Sequence, residues 1–310
     1  MLKIYKSFGG FSEISQAEQG CWVNVIEPTH EEIARLQLEF DVPEEAIRDI
    51  LDVDERPRYE YDDDWSLVLF RIPIQSQNNG VPFYTVPLGI FMTEHHTVTL
   101  CSVTNEVLQY EQPSIYKESR VPVHDLLNFV FKLFLRSATT YLRHLKHINQ
   151  QTSMIEQDLE KSIKNKELNK LLKMEKCLVY FVTSLKANEI VLTRLKNSKS
   201  KSLSEINEDL LEDAIIENKQ ALEMAQIYSD IQTGMMDAFA SVISNNLNVL
   251  MKRLTSISII IMLPTLVSSI FGMNVPNYLE NSNFGFMLII FFSLVLSFIA
   301  AMLFRKFKWF

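Results

Sequence analysis

The chain has 310 residues, a formal net charge of −8 and 47 % hydrophobic residues. The acidic balance argues against a nucleic-acid partner, which needs a basic face to neutralise phosphates, and is compatible with a cation. The apolar residues are unevenly spread: the last sixth of the chain is almost uncharged, and the rest is charged and periodic, as a soluble domain is. Its three cysteines, Cys21, Cys101 and Cys177, lie far apart and form no CxxC pair. That argues against a disulfide framework or a zinc site and for free thiols in a reducing compartment. Met1–Gly10 has no charged leader followed by a long apolar run, so no signal peptide is expected and the N-terminal portion should stay in the cytoplasm.

Residues 1–122 mix strand and helix signals and are read as a cytoplasmic α/β domain around a small, mostly antiparallel or mixed sheet. Cys21–Ile26 is a short apolar strand, and Glu27-Pro28-Thr29-His30 a turn. Thr29 reads as the N-cap of a helix through Phe40, with Glu31 and Glu32 in its first turn. Arg56-Pro57-Arg58, beside Asp52, Asp54 and Glu55, reads as a salt-bridged turn, and Asp62-Asp63-Asp64 as a loop before a strand. Ser66–Ile72, Leu88–Met92 and Thr97–Val103 are strands, with a turn signal at Asn79-Gly80. His95-His96 is a hairpin tip, not a ligand pair, because adjacent side chains in a strand point to opposite faces.

From Val123 the pattern is helical. Residues 123–203 form a helical hairpin: Val123–Lys164, a break at Asn165-Lys166, then Glu167–Leu195. Asn197–Ser204 is a loop, and Ser204 caps a long stalk helix over 204–253. This helix turns apolar without a break. Residues 254–271 are uncharged and long enough to span a bilayer, for which about 18 residues are needed. Residues 272–283 form a short loop, 284–304 a second span and 305–310 a basic tail. Lys252 and Arg253 precede the first span, and Arg305, Lys306 and Lys308 follow the second. The loop has no Lys or Arg and one acid, Glu280. The positive-inside rule then places both termini in the cytoplasm of a plasma or inner membrane, with Trp309 as an interfacial anchor.

Steps of four and three from Asp237 give Asp237, Ser241, Ser244, Asn248, Met251, Thr255, Ser258, Met262, Thr265 and Ser269 on one helix face. A coiled-coil seam would be Leu, Ile and Val; this one is mostly hydroxyl and amide, and much of it lies at membrane depth. Such a line needs close helix neighbours or water, since polar atoms in hydrocarbon are costly unpaired. The complementary stripe is Ile257, Ile259, Ile260, Ile261 and Leu263, facing lipid or the second span. Single hydroxyls can bond back to their own helix. The whole stripe, with Asp237 and Asn248, points instead to a water-lined axis. Two spans cannot enclose a conduit, so several copies must build it around a symmetry axis. Met251 and Leu254 would then form apolar rings able to gate by dewetting.

The run Met262–Asn274, MLPTLVSSIFGMN, resembles the signature of the CorA family of magnesium transporters, in which Gly-Met-Asn ends the first of two C-terminal spans. LDVDERPRYEYDDD (Leu51–Asp64), LLEDAIIENKQALEMA (Leu210–Ala225) and SNNLNVLMKRLT (Ser244–Thr255) are similar to the family too. The resemblance implies a homopentameric funnel in the membrane: a cytoplasmic α/β domain, a stalk helix running into the pore and a peripheral second span. It implies a selectivity filter of Gly272, Met273 and Asn274, a conduit lined by Thr265, Met262, Asn248 and Asp237, and a hydrophobic gate of Met251 and Leu254. Phe271 stands where the family usually has Tyr, and Glu280 alone where it often has two acids.

The expected activity is passive, gated transport of divalent cations, Mg2+ first and Co2+ or Ni2+ besides. Mg2+ dehydrates reluctantly, so a ring of asparagine carbonyls would select the hydrated ion. The resemblance also implies regulation by Mg2+ bound between cytoplasmic domains, with Asp213 at one acidic position and Glu217 one turn on. The partner acid should fall near Gln75-Ser76, which are not acids. Alternatives are a Zn2+ transporter on the same scaffold and a membrane-tethered oligomeric scaffold or sensor. No nucleophile elbow, P-loop or HExxH motif occurs, so neither an enzyme nor a cofactor is expected.

Overall fold

The computed structural model describes residues 1–7, 11–62, 64–76, 80–109, 126–161, 165–197, 207–273, 284–307 and 309. The chain divides into two units, Met1–Thr233 and Gly234–Phe310.

In the first unit a seven-stranded sheet has the order β2-β1-β3-β7-β6-β5-β4. The strands are β1 (Leu2–Ser7), β2 (Phe11–Ile14), β3 (Cys21–Ile26), β4 (Arg58–Tyr61), β5 (Trp65–Gln75), β6 (Phe83–Thr93) and β7 (His96–Cys101). Only β3 and β7 pair in parallel; every other neighbouring pair is antiparallel. The sheet is therefore mixed. Both its faces are covered. Helices α1 (His30–Glu39) and α2 (Glu44–Leu51) bring Leu36, Ile47 and Ile50 onto Val23, Val25, Leu67, Leu69 and Leu100. Helices α3 (Leu126–Lys161) and α4 (Asn165–Asn197) bring Phe129, Phe134, Val191 and Leu192 onto Trp22, Val68, Phe70, Ile72 and Ile90. Alternate residues of β5 feed the two cores, as the two-residue period of a strand requires. Burial on both faces is why β5 reads as a nearly continuous apolar run.

Local chemistry sets several joints. Thr29 caps α1 in a capping box: Glu32 N donates to Thr29 Oγ1 (3.2 Å) and Thr29 N to Glu32 Oε2 (2.9 Å). Gly89 in β6 leaves room for Ile50 of α2, whose Cδ1 would stand 2.3 Å from a Cβ there. Arg58 ties the turn before β4 together through Glu55 (2.5 Å), Asp49 (2.7 Å) and Glu60 (2.7 Å), while Asp52 accepts from the Asp54 backbone N–H (3.0 Å). The salt-bridged turn is thus present, with Asp49 and Glu60 as partners beside Glu55. His95-His96 forms the β6–β7 hairpin tip, where both backbone N–H groups donate to Thr93 Oγ1 (3.3 and 3.2 Å).

Three readings need correction. The strands β1, β2 and β4 and the helix α2 had no counterpart in the pattern. Asn165-Lys166 is not a break but the first turn of α4. The long helix α5 (Glu208–Phe271) begins after Asn207, whose Oδ1 accepts from Leu210 N (3.2 Å). The expected cap Ser204 lies outside the described residues, as does Asp63.

A polar seam crosses the helix-covered core at Arg71 of β5. Strand β4 pairs only with Ser66–Leu69, so beyond Leu69 that edge of β5 has no strand beside it among the described residues. Asn188 of α4 closes the edge: its Oδ1 accepts from Arg71 N (2.8 Å) and its Nδ2 donates to Arg71 O (2.8 Å), where Tyr141 OH of α3 also donates (3.1 Å). The Arg71 guanidinium donates to Glu55 O, Thr85 O and Thr85 Oγ1 (2.9, 2.8 and 3.1 Å), and burial lowers its pKa from the ordinary arginine value.

Two predictions follow from this packing. Asn188→Leu strands a buried N–H and should lower stability by about 2–3 kcal/mol, read from the thermal midpoint of the purified protein. His144 of α3 is buried against Phe83 (ring centroids 4.8 Å), and burial, with the Arg143 and His147 charges, lowers its pKa from 6.5 to about 4. The unfolded chain therefore binds a proton that the native chain refuses, so stability falls as pH drops from about 6.5 towards 4. His144→Phe should flatten that part of the midpoint-against-pH curve; an unchanged slope would assign the acid sensitivity elsewhere.

Candidate functional site

Within the first unit α5 lies against α4. Asn218 Nδ2 donates to Leu185 O (3.0 Å) and Gln232 Nε2 to Leu171 O (3.0 Å), both from nearly fully buried amides. Asp213 is exposed and Glu217 half-buried on this stretch, and Gln75 is exposed at the end of β5. No group of three or more His, Cys, Asp or Glu is placed to hold a metal among the described residues.

In the second unit the rest of α5 and helix α6 (Gly285–Lys306) are long and apolar enough to cross a bilayer. Ser297 Oγ donates to Ile260 O (3.3 Å), which marks the face of α5 turned to α6. One turn either side of Ile260 and beyond, Ser256 and Val267 are buried and Leu263 half-buried. Of the expected complementary stripe, Ile260 and Leu263 therefore face the second helix, whereas Ile257, Ile259 and Ile261 are exposed.

The polar stripe lies on the other side. With about 100° per residue, Met251, Ser258, Met262, Thr265 and Ser269 fall on the helix face away from Ile260. All ten positions from Asp237 to Ser269 are exposed, and so is Leu254. Ser258 Oγ donates to Leu254 O (2.9 Å) and Thr265 Oγ1 to Ile261 O (3.4 Å). Their protons are spent on their own helix, so what these oxygens turn outward is lone pairs. The stripe offers acceptors, which suits the outward-pointing protons of water around a cation.

At the end of α5, Gly272 N donates to Ser268 O (2.9 Å) and Met273 N to Ile270 O (3.4 Å), so the first two residues of the Gly-Met-Asn triplet form the tightened turn that closes the helix after Phe271. A Cβ at Gly272 would stand 3.1 Å from Ser268 O. Met273 is exposed. Asn274 and Glu280 lie outside the described residues. The basic residues Lys252, Arg253, Arg305 and Lys306 are all exposed, and Trp309 stacks on Phe304 (5.4 Å between centroids).

The pattern missed one contact between the two spans. Pro264, inside α5, has no N–H for Ile260 O, and Ser297 of α6 answers that carbonyl. The proline and the serines of an otherwise apolar span were the available signals.

An α/β/α unit joined to two apolar spans, one of them carrying a polar face, defines a membrane protein of the transporter or channel class. A family profile described as CorA-like Mg2+ transporter protein matches residues 17–306, and the chain belongs to that family. It is 27 % identical over 291 residues to the cobalt/magnesium transport protein CorA of Methanocaldococcus jannaschii, covering 93 % of this chain and 90 % of the relative. The protein of the same description from Thermotoga maritima is 20 % identical over 303 residues, covering 93 % and 83 %. The complete structure of the M. jannaschii CorA magnesium transporter shares the fold with a TM-score of 0.83 at 24 % identity, over 100 % of this chain and 99 % of that one.

Thiol chemistry tests the two faces. The native thiols are buried, and burial pushes Cys101 and Cys177 up to about 11 and raises Cys21, so their background reactivity should be low. Single cysteines at Thr255, Ser258, Met262 and Thr265 should react with a charged methanethiosulfonate in the assembled protein, and cysteines at Ser256, Ile260 and Val267 should not. Equal labelling of both sets would remove the water-lined face.

Proposed function

We propose that copies of this chain surround a water-lined axis, five by the family's pattern, and conduct divalent cations, Mg2+ first, passively through a gated pore in a cell membrane. The observation that carries this is the exposed stripe whose Ser258 and Thr265 hydroxyls spend their protons on the helix and keep their oxygens outward. An anion would want donors there. Two spans enclose nothing alone, so the stripe is shielded from lipid only when several copies bring it to a common axis. Conduction follows the gradient and the membrane potential.

In this reading residues 204–253 are the stalk, 254–271 the pore-lining span and 284–304 the peripheral span, with both termini cytoplasmic. Gly272, Met273 and Asn274 form the filter. Ringed asparagine carbonyls accept hydrogen bonds from the waters of hydrated Mg2+, so the ion need not shed its shell, which it does reluctantly. Met251 (57 % exposed) and Leu254 (60 %) supply apolar rings that close the conduit by dewetting when copies pack tightly. Asp237 concentrates cations at the stalk and Glu280 at the outer loop. Regulatory Mg2+ at Asp213 and Glu217, between neighbouring copies, would close the pore by binding its closed state better.

Divalent flux from purified protein in liposomes is the direct test, with Mg2+, Co2+ and Zn2+ compared. Asn274→Ala should cut Mg2+ flux or selectivity at least about tenfold, the equivalent of roughly 1.4 kcal/mol, while assembly persists. Met251→Asp should keep current flowing at high internal Mg2+; a variant closing like the wild type would sink the hydrophobic gate. An impermeant reagent should label Asn281→Cys from outside intact cells and Lys199→Cys only after lysis.

A further inference from the structure

Every carbonyl of a membrane-spanning helix needs a hydrogen-bond donor, because hydrocarbon supplies none. In an unbroken helix the donor is the N–H four residues on. Pro264 breaks that rule for one group: it has no N–H, and its ring crowds Ile260 O. The gap lies between Met262 and Thr265 in sequence but on the opposite face of α5 from the stripe, the side turned to α6.

The structure shows what fills it. Ser297 Oγ of α6 donates to Ile260 O at 3.3 Å and shares the same proton with Ser293 O at 3.0 Å. Ser293, one turn earlier and buried, donates to Ile290 O at 2.8 Å. It is spent within α6, so Ser297 is the α6 hydroxyl that reaches α5 among the described residues.

We propose that Ser297 is a positioning residue for ion conduction: by holding Ile260 O it sets the course of α5 at Pro264, and so the placement of Thr265, Ser269, Gly272 and Met273 beyond. The peripheral helix thereby governs the pore through one hydroxyl although it lends the stripe no residue. Without the hydroxyl, Ile260 O is relieved only if α5 rotates or bends until water or another donor meets it. Either movement displaces everything on the filter side of Pro264. This role rests on the conduction reading above.

The test is a double-mutant cycle on the full-length protein in liposomes, reading Mg2+ flux per assembled oligomer and the ratio of Mg2+ to Na+ permeation. Ser297→Ala should lower the ratio about tenfold with the oligomer still formed. Ser297→Thr, which keeps the hydroxyl, should restore it to within about twofold. Pro264→Ala returns an N–H to Ile260 O, and in that background Ser297→Ala should change the ratio by less than about twofold. A Ser297 that served only to glue two helices would reduce the yield of oligomer in both backgrounds and leave the ratio alone; that result overturns the proposal. So does an unchanged ratio in Ser297→Ala, or an equal loss with and without Pro264. If Ser297→Ala does not assemble, Ser297→Cys, a weaker donor, takes its place and should fall between alanine and serine; a ratio equal to wild type overturns the idea. Absence of divalent flux from the wild type overturns the conduction reading itself, and the positioning role with it.

Discussion

A backbone N–H or C=O removed from water needs a partner, and in hydrocarbon no solvent stands in for one. That requirement shapes both units of this protein. It makes the two spans helical, since a helix satisfies its own backbone. It forbids a line of hydroxyls and amides along α5 unless that line meets water or other helices. It also decides the chemistry the line presents: Ser258 and Thr265 answer their own turn of helix first, and what remains outward is acceptor oxygen.

The same requirement is met in one manner at two distant places. Strand β5 outruns its partner β4, and Asn188 of α4 supplies a donor and an acceptor at Arg71, as a neighbouring strand would. Helix α5 contains Pro264, and Ser297 of α6 supplies the donor that the proline lacks. In each case a side chain from an adjacent helix closes a gap in a backbone ladder. The cost of leaving the gap open, about 1–3 kcal/mol for a buried group, is what gives a single Asn or Ser such weight.

Electrostatics divides the chain differently from hydrophobicity. Beyond Asp237 the sequence holds one acid, Glu280, and the exposed bases Lys252, Arg253, Arg305 and Lys306 bracket the two spans. Because the same number of residues separates Ile260 from Lys252 as separates Ser297 from Arg305, the bases of the two helices stand level, as an interfacial collar requires. Asp237 opens the stripe ahead of the apolar run, and Ser241, Ser244 and Asn248 follow it on the same exposed face before the span begins.

Periodicity carried the membrane unit and the stripe: a helix that pairs its own backbone shows its faces in spacing alone, and ten stripe positions could be listed without coordinates. The spans, the N-cap at Thr29 and the hairpin at His95-His96 were legible because each rests on contacts between residues near in sequence, and the strand Cys21–Ile26 because its burial on both faces shows as a nearly continuous apolar run. The strands β1, β2 and β4 were not, since a short strand such as Arg58–Tyr61, half-buried or exposed along its length, carries no clear apolar alternation and is fixed only by pairing with β5. Nor could spacing tell that Arg71, in the middle of an apolar strand, would set its half-buried guanidinium on carbonyls of Glu55 and Thr85. On α5 the pattern read out a polar face but passed over the carbonyl that Pro264 leaves wanting. Only the tertiary structure decided that Ser297 answers it and that Ile260 and Leu263, not Ile257 and Ile261, turn to α6, because contacts across two helices depend on rotation about their axes, which no repeat along one chain encodes.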